Sequence, residues 1–141
     1  VHTTIQHYEA RPATAQEADT LKITEGTLVV HIERTRFADD EPIAVLTNLI
    51  PADIAPTMQE LESTSLYDLM RERGVTLASA RQIIGARSAT TKEAKLLSEH
   101  RGAALLTSQR TTYDPSGRIV ECGNHIYRAS RYSFEASLFA Q

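Results

Sequence analysis

The sequence predicts an α+β domain, a mostly antiparallel sheet with helices packed on it. Three observations predict it. The chain contains itself twice, since sliding it by 76 positions lays 10–50 on 86–126 without a gap. Each copy then reads as a short helix followed by two β-branched, alternating stretches joined by a turn. Finally, 141 residues suffice for one well-buried core, and 41 % hydrophobic with 23 % charged residues is ordinary globular composition.

The identical pairs of the repeat include Arg11/Arg87, Thr14/Thr90, Glu17/Glu93, Leu21/Leu97, Gly26/Gly102, Arg34/Arg110, Thr35/Thr111, Ile43/Ile119, Asn48/Asn124 and Ile50/Ile126. Such a repeat predicts two lobes sharing one core, with a crevice between them that suits a ligand.

Taken in order, 2–8 is a leading strand. Thr14 and Glu17 form a capping box, in which Thr serves the N3 amide and Glu reaches back to the cap amide. A helix therefore follows over 14–21. Past Gly26, Leu28–Ala38 alternates as a strand, turns at Asp39-Asp40 and returns over 42–50. An insert over 51–74 starts with Pro51 and Pro56 and holds a helix over 65–73, capped by Ser65 and stopped by Gly74 at C′. The second copy repeats the order: a strand over 75–88, the capping box Thr90/Glu93 with a helix over 90–98, a strand Ala104–Tyr113, the turn at Asp114-Pro115-Ser116-Gly117 and a return strand over 118–128. The alternating tail 132–139 adds a last strand. The sum is about seven strands and three helices in one domain, 1–141.

Several classes are excluded or disfavoured. No apolar run approaches a membrane span and no secretory leader is visible, so a cytoplasmic protein is expected. The single Cys122 permits no internal disulfide and fits a reducing compartment. A net charge of −3 disfavours direct nucleic-acid binding by this segment. The five histidines have no metal-ligand spacing, and neither metal nor cofactor is expected. Nucleophile elbow, P-loop and dinucleotide fingerprint are all missing.

The residues able to carry chemistry sit on the hairpins. Alternation places Leu28, Val30, Ile32, Arg34 and Arg36 on one face. Arginines among inward-facing apolar residues need a negative partner, and the planar guanidinium suits a carboxylate or phosphate; the other reading is an internal ion pair or an escape to solvent. On the second return strand Glu121, Gly123, His125 and Tyr127 share a face, with Glu121 and Tyr127 as ligand contacts or Glu121 as partner of an arginine. Ser65 and Tyr67 open the inserted helix, either as cap and core aromatic or as an anion site. Cys122 points the opposite way, as a small core residue.

These residues resemble the UTRA effector-binding domain of GntR-family bacterial transcription regulators, HutC subfamily. The matching runs are 32–42 with Arg34-Thr35-Arg36, Ser65-Leu66-Tyr67-Asp68, Gln82-Ile83-Ile84-Gly85-Ala86, and 127–134 with Tyr127-Arg128 and Arg131-Tyr132. The resemblance implies a chorismate-lyase-like fold and a small-metabolite pocket lined by Arg34, Arg36, Ser65, Tyr67, Glu121 and Tyr127. It also implies an upstream winged helix-turn-helix that contacts operator DNA, as the start at Val1 rather than Met suggests, and a homodimer that transmits ligand binding to DNA. Sugar-phosphate-sensing relatives tend to carry a glutamate where this chain reads Val45-Leu46-Thr47, which favours an effector with at least one anionic group. An enzyme of chorismate-lyase type and a dimerisation module with a vestigial pocket, Arg34 paired to Glu121, are the alternative readings.

Overall fold

The computed structural model describes residues 2–140; Val1 and Gln141, the ends of the expected domain, lie outside it. Among the described residues six strands form one sheet in the order β1-β2-β3-β6-β5-β4, each adjacent pair antiparallel. The strands are β1 His2–Pro12, β2 Leu28–Ala38, β3 Glu41–Pro51, β4 Ser79–Ser88, β5 Ala104–Tyr113 and β6 Ile119–Arg128. The helices are α1 Ala15–Leu21, α2 Met58–Leu61, α3 Leu66–Glu72 and α4 Thr91–Leu96, with a 3-10 turn at Ala52–Ile54.

The repeat is visible in space as two three-stranded meanders, β1-β2-β3 and β4-β5-β6, meeting at β3 and β6. Both capping boxes form, at Thr14/Glu17 and Thr90/Glu93. Each cap glutamate is also gripped by the arginine that precedes it, Arg11 on Glu17 and Arg87 on Glu93, the latter through two contacts of 2.6 Å. Ala18 and Leu21 of α1 pack with Val29 and Cys122, and Ala94 of α4 packs beside Leu97 with Val45 and Leu105. On the other face Leu66 and Met70 of α3 cover Val30, Ile32 and Ile50. Successive strand residues point to opposite faces, so Val29 serves the α1 layer and Val30 the α3 layer.

Three expectations are corrected. The tail 132–140 holds no strand, because β6 already has β3 and β5 on its two sides and offers the chain no free edge as it leaves. The sheet therefore has six strands, not seven. The helices number four, because Thr57 and Glu60 form a third capping box that starts α2 inside the insert. Strand β4 begins at Ser79 rather than 75, since Val75 and Leu77 are drawn under the α3 layer, while β1 runs on to Pro12.

The gap-free repeat also needs correction in its last part. The first hairpin turns through Asp39 and Asp40 alone, both left-handed at φ 50 and 64. The second closes Asp114 N to Arg118 O at 2.9 Å, enclosing Pro115, Ser116 and Gly117, one residue more. Gly117 takes the left-handed position at φ 88, as a three-residue hairpin loop requires. Structural equivalents on the return strands are consequently 77 apart, and Thr47 faces Asn124 across the β3–β6 pair at the local two-fold axis. A shift of one residue reverses the face each side chain takes. Asn48 and Asn124, identical in sequence, thus point to opposite sides: Asn48 is buried and Asn124 is exposed.

Candidate functional site

The sheet face under α3 collects side chains that the register places in rows. Arg34 lies opposite Leu46, Leu46 opposite His125 and His125 opposite Ser108; one step along, Asn48 faces Gly123 and Gly123 faces Arg110. Beside the edge of α3 these residues enclose a cavity of about 230 Å³, lined by Arg34, Arg36, Asn48, Ser65, Tyr67, Gln82, Ser108, Arg110, His125 and Tyr127 among others. That volume is below the range of about 300–1,000 Å³ typical of drug-sized ligands and suits a compact metabolite.

Five of the six expected residues, Arg34, Arg36, Ser65, Tyr67 and Tyr127, line this cavity. Glu121 lies beneath it, fully buried, and accepts hydrogen bonds from Asn48 Nδ2 at 2.6 Å, Thr112 Oγ1 at 2.8 Å and the Tyr67 hydroxyl at 3.2 Å. Arg34 Nη2 donates to Asn48 Oδ1 at 2.9 Å. The arginine and the glutamate are therefore joined through Asn48 and make no direct ion pair. Burial and Glu121 push the Tyr67 hydroxyl up to about 12, so it remains a donor to that carboxylate. Ser65 caps α3, its Oγ accepting from the Asp68 amide at 3.4 Å.

Five polar residues enter the site beyond the expected ones: Asn48, Gln82, Ser108, Arg110 and His125. Arg110 lies over the Tyr67 ring, 5.1 Å from its centroid. The repeat itself carried the signal for Arg110, since it is the copy of Arg34. His125 had a signal too, on the alternating face with Glu121 and Tyr127. Its Nδ1 is 3.2 Å from the Tyr127 hydroxyl, and its Nε2 is buried without a hydrogen-bond partner, as are Arg34 Nε and Arg110 Nε. Burial, then Arg34, Arg36 and Arg110, push the imidazole down to about 4, so it is neutral at pH 7. Gly123 makes room for this arrangement: a Cβ there would come within 2.9 Å of both Glu121 Oε2 and His125 Nε2.

The electrostatic outcome is three guanidinium groups, one neutral imidazole and one carboxylate held below the cavity. An anion entering there meets unused N–H donors in a partly desolvated setting, where charge-assisted hydrogen bonds are strong. A larger groove of about 680 Å³ lies beside α4, but its Arg87 is already engaged by Glu93. Cys122 packs in the α1 layer, where burial raises its thiol, as a core residue does. Among the described residues no cluster of metal-ligating side chains occurs.

The fold has close counterparts among solved structures. A protein described as a transcriptional regulator from Streptomyces coelicolor superposes with a TM-score of 0.92 at 48 % identity, over 99 % of this chain and 94 % of that one. A GntR-family regulator from Enterococcus faecalis V583 gives 0.87 at 25 % identity, over 96 % and 99 % of the two chains. This six-stranded α+β architecture is that of effector domains of GntR-family transcription regulators. The chain belongs to the UTRA domain family, whose model matches residues 1–133.

Among curated relatives, the HTH-type transcriptional repressor NagR of Bacillus subtilis is 32 % identical over 129 residues, 90 % of this chain and 53 % of the repressor. The probable transcriptional regulator PhnF of Escherichia coli is 37 % identical over 90 residues, 62 % of this chain and 37 % of that protein. The chain spans about half or less of these relatives. They are transcription regulators, which sets aside the enzyme of chorismate-lyase type.

Proposed function

We propose that this domain is the effector sensor of a DNA-binding repressor, taking a small anionic metabolite such as a phosphosugar or carboxylate in the cavity beside α3. The observation that carries the reading is the convergence of Arg34, Arg36 and Arg110 on one cavity whose lining holds no carboxylate. Ser65, Tyr67 and Tyr127 supply hydroxyls, and Glu121 with Asn48 fixes the height and angle of Arg34. An anion there would draw in the Arg34 and Arg36 side of β2, the Arg110 side of β5 and the start of α3 together. Such a ligand biases the protein toward whichever arrangement holds these walls closer, by no more than its difference in affinity for the two.

In this reading a winged helix-turn-helix upstream of the domain contacts operator DNA, and two copies act as a symmetric cytoplasmic dimer. Support for the DNA partner comes from relatives described as helix-turn-helix repressors about twice as long as their match to this chain. Among the described residues no helix is long and apolar enough to cross a membrane. The open edge of β4 supports pairing between copies. The domain is taken to extend over 1–141, as ligand-binding and dimerisation unit in one.

The test is a thermal-shift panel of sugar phosphates, phosphonates, amino acids and carboxylates on this chain, with Arg34→Ala alongside. A true ligand at about 100 times its Kd adds roughly 2.7 kcal/mol, a rise of several degrees in Tm. The expected result is a shift with one anionic class that Arg34→Ala abolishes. A shift retained in Arg34→Ala would place the site elsewhere.

A further inference from the structure

The cavity lies over the local two-fold axis, and that position has a chemical consequence. Leu46 and Asn48 of β3, with Gly123 and His125 of β6, surround the axis on the cavity face. Arg34 and Arg110, the same residue of the two repeats, stand one strand further out on either side, on β2 and β5. With three inter-strand spacings between them, their backbones are roughly 14 Å apart. Both side chains line the cavity, and each has a buried Nε with no partner. A single phosphate held by Arg34 and Arg36 leaves the Arg110 fork unmet on the far wall. Among the described residues no carboxylate answers Arg110, since Glu121 is occupied by Asn48, Tyr67 and Thr112. The face of Tyr67 holds the guanidinium by cation–π attraction and leaves its in-plane N–H donors free for an anion.

We propose that Arg110 is a second anion-binding residue, so that the effector carries two acidic groups, one at Arg34 and Arg36 and the other at Arg110. This rests on the cavity being the effector site, and it narrows the ligand to compact diacids: phosphorylated carboxylic acids or short dicarboxylates. Ser108 and Gln82, which approach each other at 3.4 Å on the β5–β4 side, are placed to contact the part of the ligand next to the second acid.

Calorimetric titration with a matched pair of probes tests it. 3-Phosphoglycerate and glycerol 3-phosphate share a phosphate and differ by a carboxylate in place of a hydroxymethyl group. The first is expected to bind about 10- to 100-fold more tightly, the weight of one charge-assisted contact. Arg110→Gln should bring the ratio of the two affinities close to one, whatever it does to each separately, with an unchanged circular-dichroism spectrum and thermal transition showing the variant to be folded. Arg110→Lys, which keeps the charge and loses the fork, should retain part of the preference. Equal binding of the two probes, or a preference that survives Arg110→Gln, overturns the proposal while leaving the anion sensor standing. No response to either probe or to any member of the anion panel overturns the sensor reading and this one with it.

Discussion

His125 is held neutral first by burial and then by the same three arginines that make the cavity attractive to anions. Arg34 and Arg36 on β2 and Arg110 on β5 oppose its protonation together with burial, while Glu121 and Tyr127 on its own strand and Tyr67 on α3 complete the surroundings. With the imidazole near 4 in the folded protein and near 6.5 when unfolded, the unfolded chain binds the extra proton between those values. Stability conferred by the neutral imidazole is therefore full above pH 6.5 and declines as pH falls toward 4, by up to about 1.4 kcal/mol per pH unit. Urea denaturation of the protein and of His125→Gln between pH 4.5 and 7.5 checks this. The two stability profiles are expected to converge as pH falls, and a constant difference would refute the assignment. An anion that offsets the arginines' charge should also favour the protonated imidazole, so calorimetry in buffers of different ionisation enthalpy is expected to show proton uptake by the protein on binding at acidic pH.

At the scale of elements, the hairpin loops set which residues reach the site. Pro115, Ser116 and Gly117 give the second hairpin one residue more than Asp39 and Asp40 give the first. Glu121, Gly123, His125 and Tyr127 thereby share the cavity face with Arg34. Deleting Ser116 would force β6 either out of its pairing with β5 or onto the wrong face, bringing Glu121 toward the apolar α1 layer. The expected cost is at least about 4 kcal/mol, visible as a lowered and broadened thermal transition by circular dichroism. An unchanged transition would mean that β6 takes its register from β3 instead. Hairpins, the Thr14 and Thr90 caps and the α3 boundary were legible in the sequence because each has a local signature in turn residues, Thr-x-x-Glu spacing or Gly74, whereas the same spacing at Thr57 and Glu60 starts only the four-residue α2 and passed unread. The offset of one residue was not, since Ile43/Ile119, Asn48/Asn124 and Ile50/Ile126 align without it. Loop geometry overrode that identity. Strand content in the tail misled for a different reason: alternation shows that a segment suits a sheet, while only topology shows whether an edge is free.

For the whole molecule, the two outer strands are built differently although they are copies. Strand β1 carries a bulge between Ile5 and His7, a device that discourages pairing with another chain. Strand β4 has none, and its uncharged centre from Gln82 to Ala86 leaves Ile83 and Ile84 half exposed. A second copy pairing there would continue the sheet and place Gln82, a cavity residue, next to the interface. Ile83→Lys with Ile84→Lys should convert a dimer to a monomer in sedimentation equilibrium, and a dimer that persists would move the interface away from β4. The grouping of Arg34, Arg36, Tyr67, Glu121 and Tyr127 was readable from alternation and resemblance. Arg110 and His125 were marked by the repeat and by alternation, but that they share one cavity with Arg34 depends on the pairing of β3 with β6, a contact of high sequence separation with no local mark.

The extra residue at 115–117 also decides how many ways a guest can sit. A cavity on an unbroken two-fold would offer an unsymmetrical molecule two interchangeable poses, and the protein could not tell its head from its tail. Here Arg34 and Arg110 keep the symmetry, while Arg36 has Thr112 as its counterpart and the strands between break it further, with His125 standing where the other half has Asn48 and Glu121 where it has Ala44. The domain thus has a polarity that its own duplication would have denied it.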